Sequence, residues 1–191
     1  MLGQKGFSLL EVLTTTVIFG VLLVGVCTLY AASLKSFNRG QNKIDAQQNA
    51  RVGIEVLARE VRLAGYDPSD AINVLPTTAI EVAAANTVTF IADVDGDAVS
   101  DRVRYSLQGT RLVKDSASWS GTDFPALTGN NESAEGVTAL TFTYSDGNDT
   151  VTATLADIRR ISIGITTQET TPDGIQVSFP LTLDVRLRNL P

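Results

Sequence analysis

The sequence predicts an α+β protein in which one long amino-terminal helix, with a transmembrane first half, packs on an antiparallel β-sheet. Three features of the 191-residue chain indicate this class. Residues 12–34 contain no charged side chain, and residues 50–64 place apolar side chains at helical spacing. After Gly65 the apolar side chains recur at every second position, as they do in strands with one covered face.

The uncharged stretch is long enough to cross a membrane. Its 23 residues span about 35 Å as a helix, and the hydrocarbon core of a bilayer is roughly 30 Å thick. A cleavable secretory signal has an apolar core of only about 7–15 residues, so a retained anchor is favoured. Small side chains at residues 31–33 leave signal cleavage there as the alternative. The lone cysteine, Cys27, follows Val26 instead of a small residue, so we interpret it as an apolar packing residue and not as a lipoprotein site.

Glu11 is an acidic side chain at the beginning of this apolar segment. An ionised carboxylate within the apolar layer costs on the order of a few kcal/mol and usually has a partner. Two interpretations follow from Glu11 alone. The side chain either lies at the headgroup level and is solvated, or it pairs with a cation supplied by another group.

The second half of the helix is predicted to be amphipathic. Its apolar face consists of Ala50, Ile54, Leu57, Val61 and Ala64. Gly65 is the predicted C-cap and Pro68 the stop beyond it. A helix over residues 7–64 would be roughly 85 Å long. Four glycines are places where it could bend, or they are merely tolerated, and these are Gly20, Gly25, Gly40 and Gly53.

Five stretches after Gly65 alternate apolar and polar side chains. Their apolar positions are Val103, Tyr105 and Leu107; Leu140, Phe142 and Tyr144; Val151, Ala153 and Leu155; Ile161, Ile163 and Ile165; and Ile175, Val177, Phe179, Leu181, Leu183, Val185 and Leu187. Glycine turns at Gly109 and Gly147 fit hairpins. Pro180 cannot donate to a ladder, so it predicts an edge strand or a bulge. The apolar stripe of the helix is the expected cover for the sheet.

An acidic loop separates two of the predicted strands. Asp93, Asp95, Asp97 and Asp101 fall at positions 1, 3, 5 and 9, which is the oxygen-ligand spacing of EF-hand-like calcium loops. Position 6 is Ala98 where such loops have glycine, and position 12 is Arg104 where they have glutamate. The loop is therefore either a calcium site or a solvated turn whose Asp and Gly residues serve the backbone. No other cofactor is expected.

Composition argues against several functions. The chain has a net charge of −6 and no extended basic surface in its pattern, so no nucleic acid is expected as a partner. It contains no histidine, which excludes a Ser-His-Asp triad and a His-based metal site. No phosphate-binding GxxxxGK[ST] loop is present, and no spacing of carboxylates suggests hydrolysis. We therefore predict that the protein is not an enzyme.

The stretch KGFSLLEV, residues 5–12, resembles the processing site of type IV prepilins. That pattern is a charged leader ending in glycine, then phenylalanine, a small polar residue, apolar residues and glutamate. The resemblance implies that a prepilin peptidase cleaves after Gly6 and that Phe7 becomes N-methylated. Cleavage would create a cationic amine on Phe7. Glu11 of one subunit would then pair with the Phe7 amine of a neighbour, and this pairing would direct assembly.

The residues at the end of the predicted helix resemble one particular group of type IV pilins. Residues 48–66 are similar to PilW-type minor pilins, which have an Asn-Ala-Arg stretch and then end in Ala-Gly-Tyr. The resemblance implies a pilin-like fold with a prepilin leader over residues 1–6 and a transmembrane or filament-core helix over 7–34. An amphipathic continuation over 35–65 and an antiparallel β-sheet domain over 66–191 would follow. Major pilins often carry a paired-cysteine loop, which a chain with one cysteine lacks.

The expected role is therefore that of a structural minor pilin of a bacterial type IV pilus. Its partners would be the prepilin peptidase, the inner membrane before assembly, and other major and minor pilins in a filament at the cell surface. The alternatives are a minor pseudopilin of a type II secretion system, a competence pilus component, or an anchored β-domain that binds a ligand and never polymerises.

The distribution of basic residues opposes the expected orientation, in which the amino terminus is cytoplasmic and the domain is periplasmic. Lys35, Arg39 and Lys43 follow the apolar segment, and only Lys5 precedes it. Basic residues favour the cytoplasmic side. The processing motif nevertheless leads us to predict that the domain lies outside.

Overall fold

A computed structural model describes residues 6, 8–70, 72, 79–171 and 174–190, with the side chains of residues 130 and 132 left out. It contains one helix, α1 (Leu9–Val61), and a short 3₁₀ helix, Leu155–Asp157. The strands are β1 (Ile80–Ala83), β2 (Thr87–Ala92), β3 (Asp101–Gln108), β4 (Arg111–Ser118), β5 (Thr128–Ala134), β6 (Val137–Ser145), β7 (Arg160–Thr170) and β8 (Gln176–Arg186).

Helix α1 runs without a break for 53 residues, about 80 Å. The predicted apolar face is confirmed, because all five of its side chains are buried. The helix ends at Val61, three residues before the predicted end. Residues 62–65 form a turn in which the N–H groups of Leu63 and Ala64 bond back over three residues instead of four. Gly65 is not the C-cap, since its N–H donates to the carbonyl of Ile91 in the sheet, although its φ of +83° does need a glycine.

The four helix glycines differ in their surroundings. A Cβ atom on Gly20, Gly25 or Gly40 would meet no atom within 4 Å, which agrees with tolerated positions. A Cβ atom on Gly53 would lie 2.8 Å from the Cβ of Ala134 on β5. Gly53 therefore lets the helix approach the sheet closely, and mere tolerance is the wrong interpretation at that position.

The strands form two antiparallel sheets where the alternation suggested one. Five strands pair in the order β1-β2-β3-β4-β5, and three pair in the order β6-β7-β8. The sheets meet at β6, where the Phe142 N–H donates to the Ala85 carbonyl and the Tyr144 hydroxyl donates to the Ala84 carbonyl, both over 2.8 Å. Helix α1 packs mainly across β7 and β8, and its side chains join those of both sheets in one core.

Four of the five alternating stretches form strands as predicted, and the predicted hairpin at Gly109 joins β3 to β4. The prediction of a strand at Val151, Ala153 and Leu155 is wrong. Val151 makes one isolated bridge to Ser145, and Leu155 begins the 3₁₀ helix. The edge position predicted from Pro180 is confirmed, because β8 is an outer strand of its sheet.

Candidate functional site

The amino-terminal motif lies at the start of α1. Gly6 is exposed, whereas Phe7 and the rest of the predicted leader lie outside the described residues. Ser8 is the N-cap, and its carbonyl accepts hydrogen bonds from the N–H groups of Glu11 at 3.0 Å and Val12 at 3.2 Å. The helix therefore begins immediately after the predicted cleavage site.

The carboxylate of Glu11 lies in the first turn of α1 and is exposed. An acidic side chain in the first turn is favoured by the helix dipole. Among the described residues no side chain or backbone group bonds to this carboxylate. The pairing predicted for Glu11 stays a prediction.

The threonine hydroxyl groups in the apolar half of α1 are satisfied within the helix. Thr14, Thr15, Thr16 and Thr28 donate to carbonyl groups three or four residues earlier, over 2.7–3.0 Å. Threonines bonded in this way present few unmet polar atoms to an apolar environment. The four threonines therefore do not disqualify the segment as a membrane helix.

The apolar half of α1 has no cover within the chain. Its large side chains are between 45% and 85% exposed, and within the described residues α1 is the one helix long and apolar enough to cross a membrane. The first helix residue buried by the domain is Ala46. An exposed apolar surface of this size requires lipid or other apolar helices around it.

The acidic loop is folded by its own aspartates. The buried carboxylate of Asp93 accepts the N–H groups of Gly96 at 2.7 Å and Ala98 at 3.1 Å. Asp95 accepts the N–H of Asp97 at 3.2 Å. Oxygens of Asp93, Asp95 and Asp97 lie within 4.8 Å of one another, so the three carboxylates are close enough to share a cation. The geometry serves a turn and a calcium loop equally, and both interpretations stay open.

Asp101 is not one of the carboxylates that lie within 4.8 Å of one another, although the charges of Asp95 and Asp97 act on it and the loop residue Val94 donates a backbone hydrogen bond to it. Asp101 begins β3 opposite Ser118 on β4, whose hydroxyl donates to it over 2.5 Å. Burial raises the pKa of Asp101, the Ser118 hydrogen bond lowers it, and the charge of Asp95 raises it further. The structure thus brings together three of the four predicted ligands and gives the fourth a different neighbour.

Comparisons with known proteins address both the motif and the fold. A family model described as the prokaryotic N-terminal methylation motif matches residues 1–26. A type IV-like pilin from Thermus thermophilus has a similar structure, with a TM-score of 0.54 at 13% sequence identity. The alignment covers 76% of this chain and 98% of that pilin. Comparison with curated proteins finds no match.

The chain has a type IV pilin-like fold and carries a prepilin-type methylation motif. The predicted motif and the predicted pilin-like fold are confirmed. The apolar helix and the motif together fit a membrane-anchored pilin, and they point to a structural protein. The resemblance to PilW-type minor pilins in particular stays a prediction.

Sequence reasoning missed a buried polar cluster in this pilin-like protein. Glu60 on α1 is only 6% exposed, and its carboxylate accepts hydrogen bonds from Tyr105 and Lys114. Burial and the charge of Glu60 raise the pKa of Tyr105 far above its ordinary value, so the phenol stays a donor. The one available signal was an acidic residue beside Val61 on the otherwise apolar face of the helix. Its partners lie 45 and 54 residues away and show no pattern with it.

Proposed function

We propose that this protein is a structural minor pilin of a bacterial type IV pilus. In this proposal prepilin peptidase cleaves after Gly6, and Phe7 is N-methylated. The apolar half of α1 first holds the chain in the inner membrane with the domain outside, and later packs among the helices of other pilins in the filament core. The β-sheet domain contacts neighbouring pilins or the surroundings, and the chain helps to initiate or cap the filament.

The observation that carries the proposal is the position of the processing motif directly before an apolar helix with no cover in its own chain. Every large apolar side chain from Leu9 to Leu34 is exposed, and α1 continues without interruption into the domain. Such a helix can leave the lipid only if other apolar surfaces replace it. A filament core of similar helices provides that surface.

In the proposed filament, Glu11 sets the axial register between the helices of neighbouring subunits. An unpaired carboxylate among apolar helices is penalised, whereas one beside a Phe7 amine is stabilised by a short charge–charge contact in low dielectric. The exposed Glu11 side chain, at the same end of the chain as the cleavage site, supports this pairing. The wider alternatives, a secretion pseudopilin or a competence pilus subunit, use the same segment in the same manner.

The mature amino terminus tests the proposal. Intact-mass spectrometry of the chain from a pilus-forming host is expected to show a start at methylated Phe7, and the sheared filament fraction is expected to contain the chain. A mature chain that begins at Met1 or Lys35 would exclude processing as a pilin. Processed chain that stays in the membrane and never reaches filaments would instead support the anchored, non-polymerising alternative.

A further inference from the structure

Three basic side chains, Lys35, Arg39 and Lys43, follow the apolar segment on α1, and we refer to them as the basic stripe. Their spacing of four residues places them within about 80° of the helix circumference. All three are exposed. No acidic residue lies between Glu11 and Asp45, so this part of an acidic chain is strongly positive.

The basic stripe lies between the apolar segment and the globular domain. Lys35 is the first residue after the uncharged run, and Lys43 is about 12 Å further along the helix axis. Ala46 is the first helix residue that the domain buries. The headgroup layer of a bilayer is about 5–8 Å thick on each side, and lysine side chains lean along a helix toward it. Both lysines can therefore reach the headgroups of an anchored chain.

Basic residues on the translocated side of a membrane oppose the usual charge distribution, so their presence calls for a favourable interaction there. Arg39 takes part in an interaction within the chain, so Lys35 and Lys43 are the two side chains that we consider for an interaction outside it. A lysine ammonium is a compact charge that binds phosphate without a fixed geometry.

We propose that Lys35 and Lys43 bind the phosphate groups of anionic phospholipids in the leaflet on the side of the globular domain. The inference rests on the membrane-anchored state in the proposed function. Near an anionic surface each basic residue strengthens attraction about fivefold. Because the lysines are exposed, the attraction is screened by salt. The bound headgroups hold the domain at a fixed height above the membrane until the chain enters a filament.

A second copy of the chain is a less favoured occupant. The first exposed acidic side chain after the stripe on α1 is Glu55, about 18 Å along the helix from Lys43. A second copy would have to be displaced by roughly 18 Å along the helix to bring its Glu55 beside Lys43. The membrane surface, in contrast, adjoins the stripe in every anchored copy.

Energy transfer from Cys27 to labelled lipids tests the proposal. Cys27 is the one cysteine of the chain, it is exposed, and it lies about 12 Å along the helix from Lys35. The full chain, labelled there with a donor dye, is reconstituted in phosphatidylcholine vesicles that contain either labelled phosphatidylglycerol or labelled phosphatidylcholine at equal fractions. Transfer to phosphatidylglycerol is expected to exceed transfer to phosphatidylcholine. The combined Lys35→Gln and Lys43→Gln variant, like high salt, is expected to bring the ratio close to one.

The matched control removes two charges from the same helix beyond the reach of the headgroups. The control variant combines Arg51→Gln with Arg59→Gln, and both positions lie about 25 Å or more from the apolar segment, further than a Debye length. This variant is expected to keep the full preference for phosphatidylglycerol. Equal transfer to both lipids in the unmodified chain, or a preference that the double lysine variant retains, overturns the proposal. Equal transfer accompanied by cross-linking between copies would assign the stripe to a second copy.

Insertion is scored separately by flotation with the vesicles after alkaline extraction. A chain that does not float contradicts the anchored state, and with it both the proposed function and this inference. A chain that floats without lipid preference contradicts the inference alone.

Discussion

The hydroxyl of Tyr105 donates a hydrogen bond of 2.9 Å to the carboxylate of Glu60 and thereby joins β3 to α1 inside the core. Lys114 on β4 donates to the same carboxylate over 2.8 Å. A buried charge is stable only while its partners are in place. These contacts therefore fix the rotation and height of α1 against the first sheet, where Gly53 also allows close approach.

Replacing Lys114 with methionine is expected to lower the free energy of unfolding by about 3 kcal/mol, because Glu60 would keep a buried charge without its counterion. Tyr105→Phe is expected to cost about 1.5–3 kcal/mol, because the buried carboxylate of Glu60 loses a donor and the hydrogen bond with Ser133 is lost as well. Urea unfolding of the full chain in detergent measures both. Arg51→Met on the exposed side of α1 is the control, expected within about 0.5 kcal/mol of the unmodified chain. Equal effects of Lys114→Met and the control would disprove the role of the cluster.

Gly53→Ala is expected to destabilise the fold by about 1–3 kcal/mol, because the added Cβ would lie 2.8 Å from the Cβ of Ala134. Gly40→Ala makes the same chemical change where nothing lies within 4 Å, and it is expected to stabilise the helix by about 0.5–1 kcal/mol. Opposite shifts in Tm for the two variants confirm close packing at Gly53. A stabilised Gly53→Ala would show that the helix and β5 can separate freely.

Asp101→Asn is expected to raise Tm at neutral pH. Burial raises the pKa of Asp101 above its usual 3.8, so the folded state binds the proton more tightly than the unfolded state does. The free-energy cost of ionising Asp101 in the folded state is fully present at a pH above its raised pKa. This cost disappears as the pH falls below the ordinary pKa of an aspartate, because Asp101 is then protonated in both the folded and the unfolded state. Thermal melts at neutral pH and at about pH 4 should therefore show the advantage of the asparagine variant narrowing in acid. An advantage that does not change with pH would assign it to a cause other than charge.

Asp93→Ala is expected to lower the free energy of unfolding by about 1–3 kcal/mol without any cation, because two backbone N–H groups lose their acceptor. Asp95→Ala removes an exposed acceptor of one longer bond and is expected to change stability by no more than about 0.5 kcal/mol. Comparable losses in both variants would contradict the central position of Asp93 in the turn.

The effect of calcium on Tm distinguishes a calcium-binding loop from a turn without a metal ion. If Asp93, Asp95 and Asp97 share an ion, millimolar calcium raises Tm relative to chelator, and Asp95→Ala with Asp97→Ala abolishes the rise. An unchanged Tm assigns the loop to a turn held by its own hydrogen bonds. Magnesium is the control for non-specific screening, since it demands a tighter octahedral geometry.

Glu11→Leu is expected to leave membrane insertion intact and to reduce incorporation into filaments by about tenfold or more, since the lost pairing is worth a few kcal/mol. The ratio of chain in sheared filaments to chain in membranes measures the effect. Glu11→Asp keeps the charge and should restore part of the incorporation. Normal incorporation of Glu11→Leu would rule out pairing of this carboxylate as a step in assembly.

The features of the fold that could be predicted are those that depend on residues close together in the sequence. The spacing of Ile54, Leu57 and Val61 describes one face of one helix, and the alternation at residues 161–165 describes one face of one strand. Alternation does not say which strands pair, so the division into two sheets was not predictable. At Val151 the chain follows a turn and makes a single bridge before it leaves the sheet, and a short run of alternating residues carries no information about that departure.

The candidate site was predictable to the same extent. Gly6 and Glu11 belong to one contiguous motif, so they needed no tertiary information. The ligand spacing brought Asp93, Asp95 and Asp97 together, but it could not reveal that Asp101 begins β3 beside Ser118. Glu60 and its partners were hidden because their contact exists only once the helix lies on the sheet.

Because α1 is continuous, one helix connects the β-sheet domain to the amino-terminal end of the chain. The domain buries residues of α1 between Ala46 and Val61, and Glu11 lies near the other end of the same helix, about 75 Å from Val61. The helix passes Gly20, Gly25 and Gly40 without interruption, so no break in its backbone separates the two ends. We therefore expect that a pull or a twist applied to the domain is transmitted along α1 to the membrane end of the helix, where Glu11 lies.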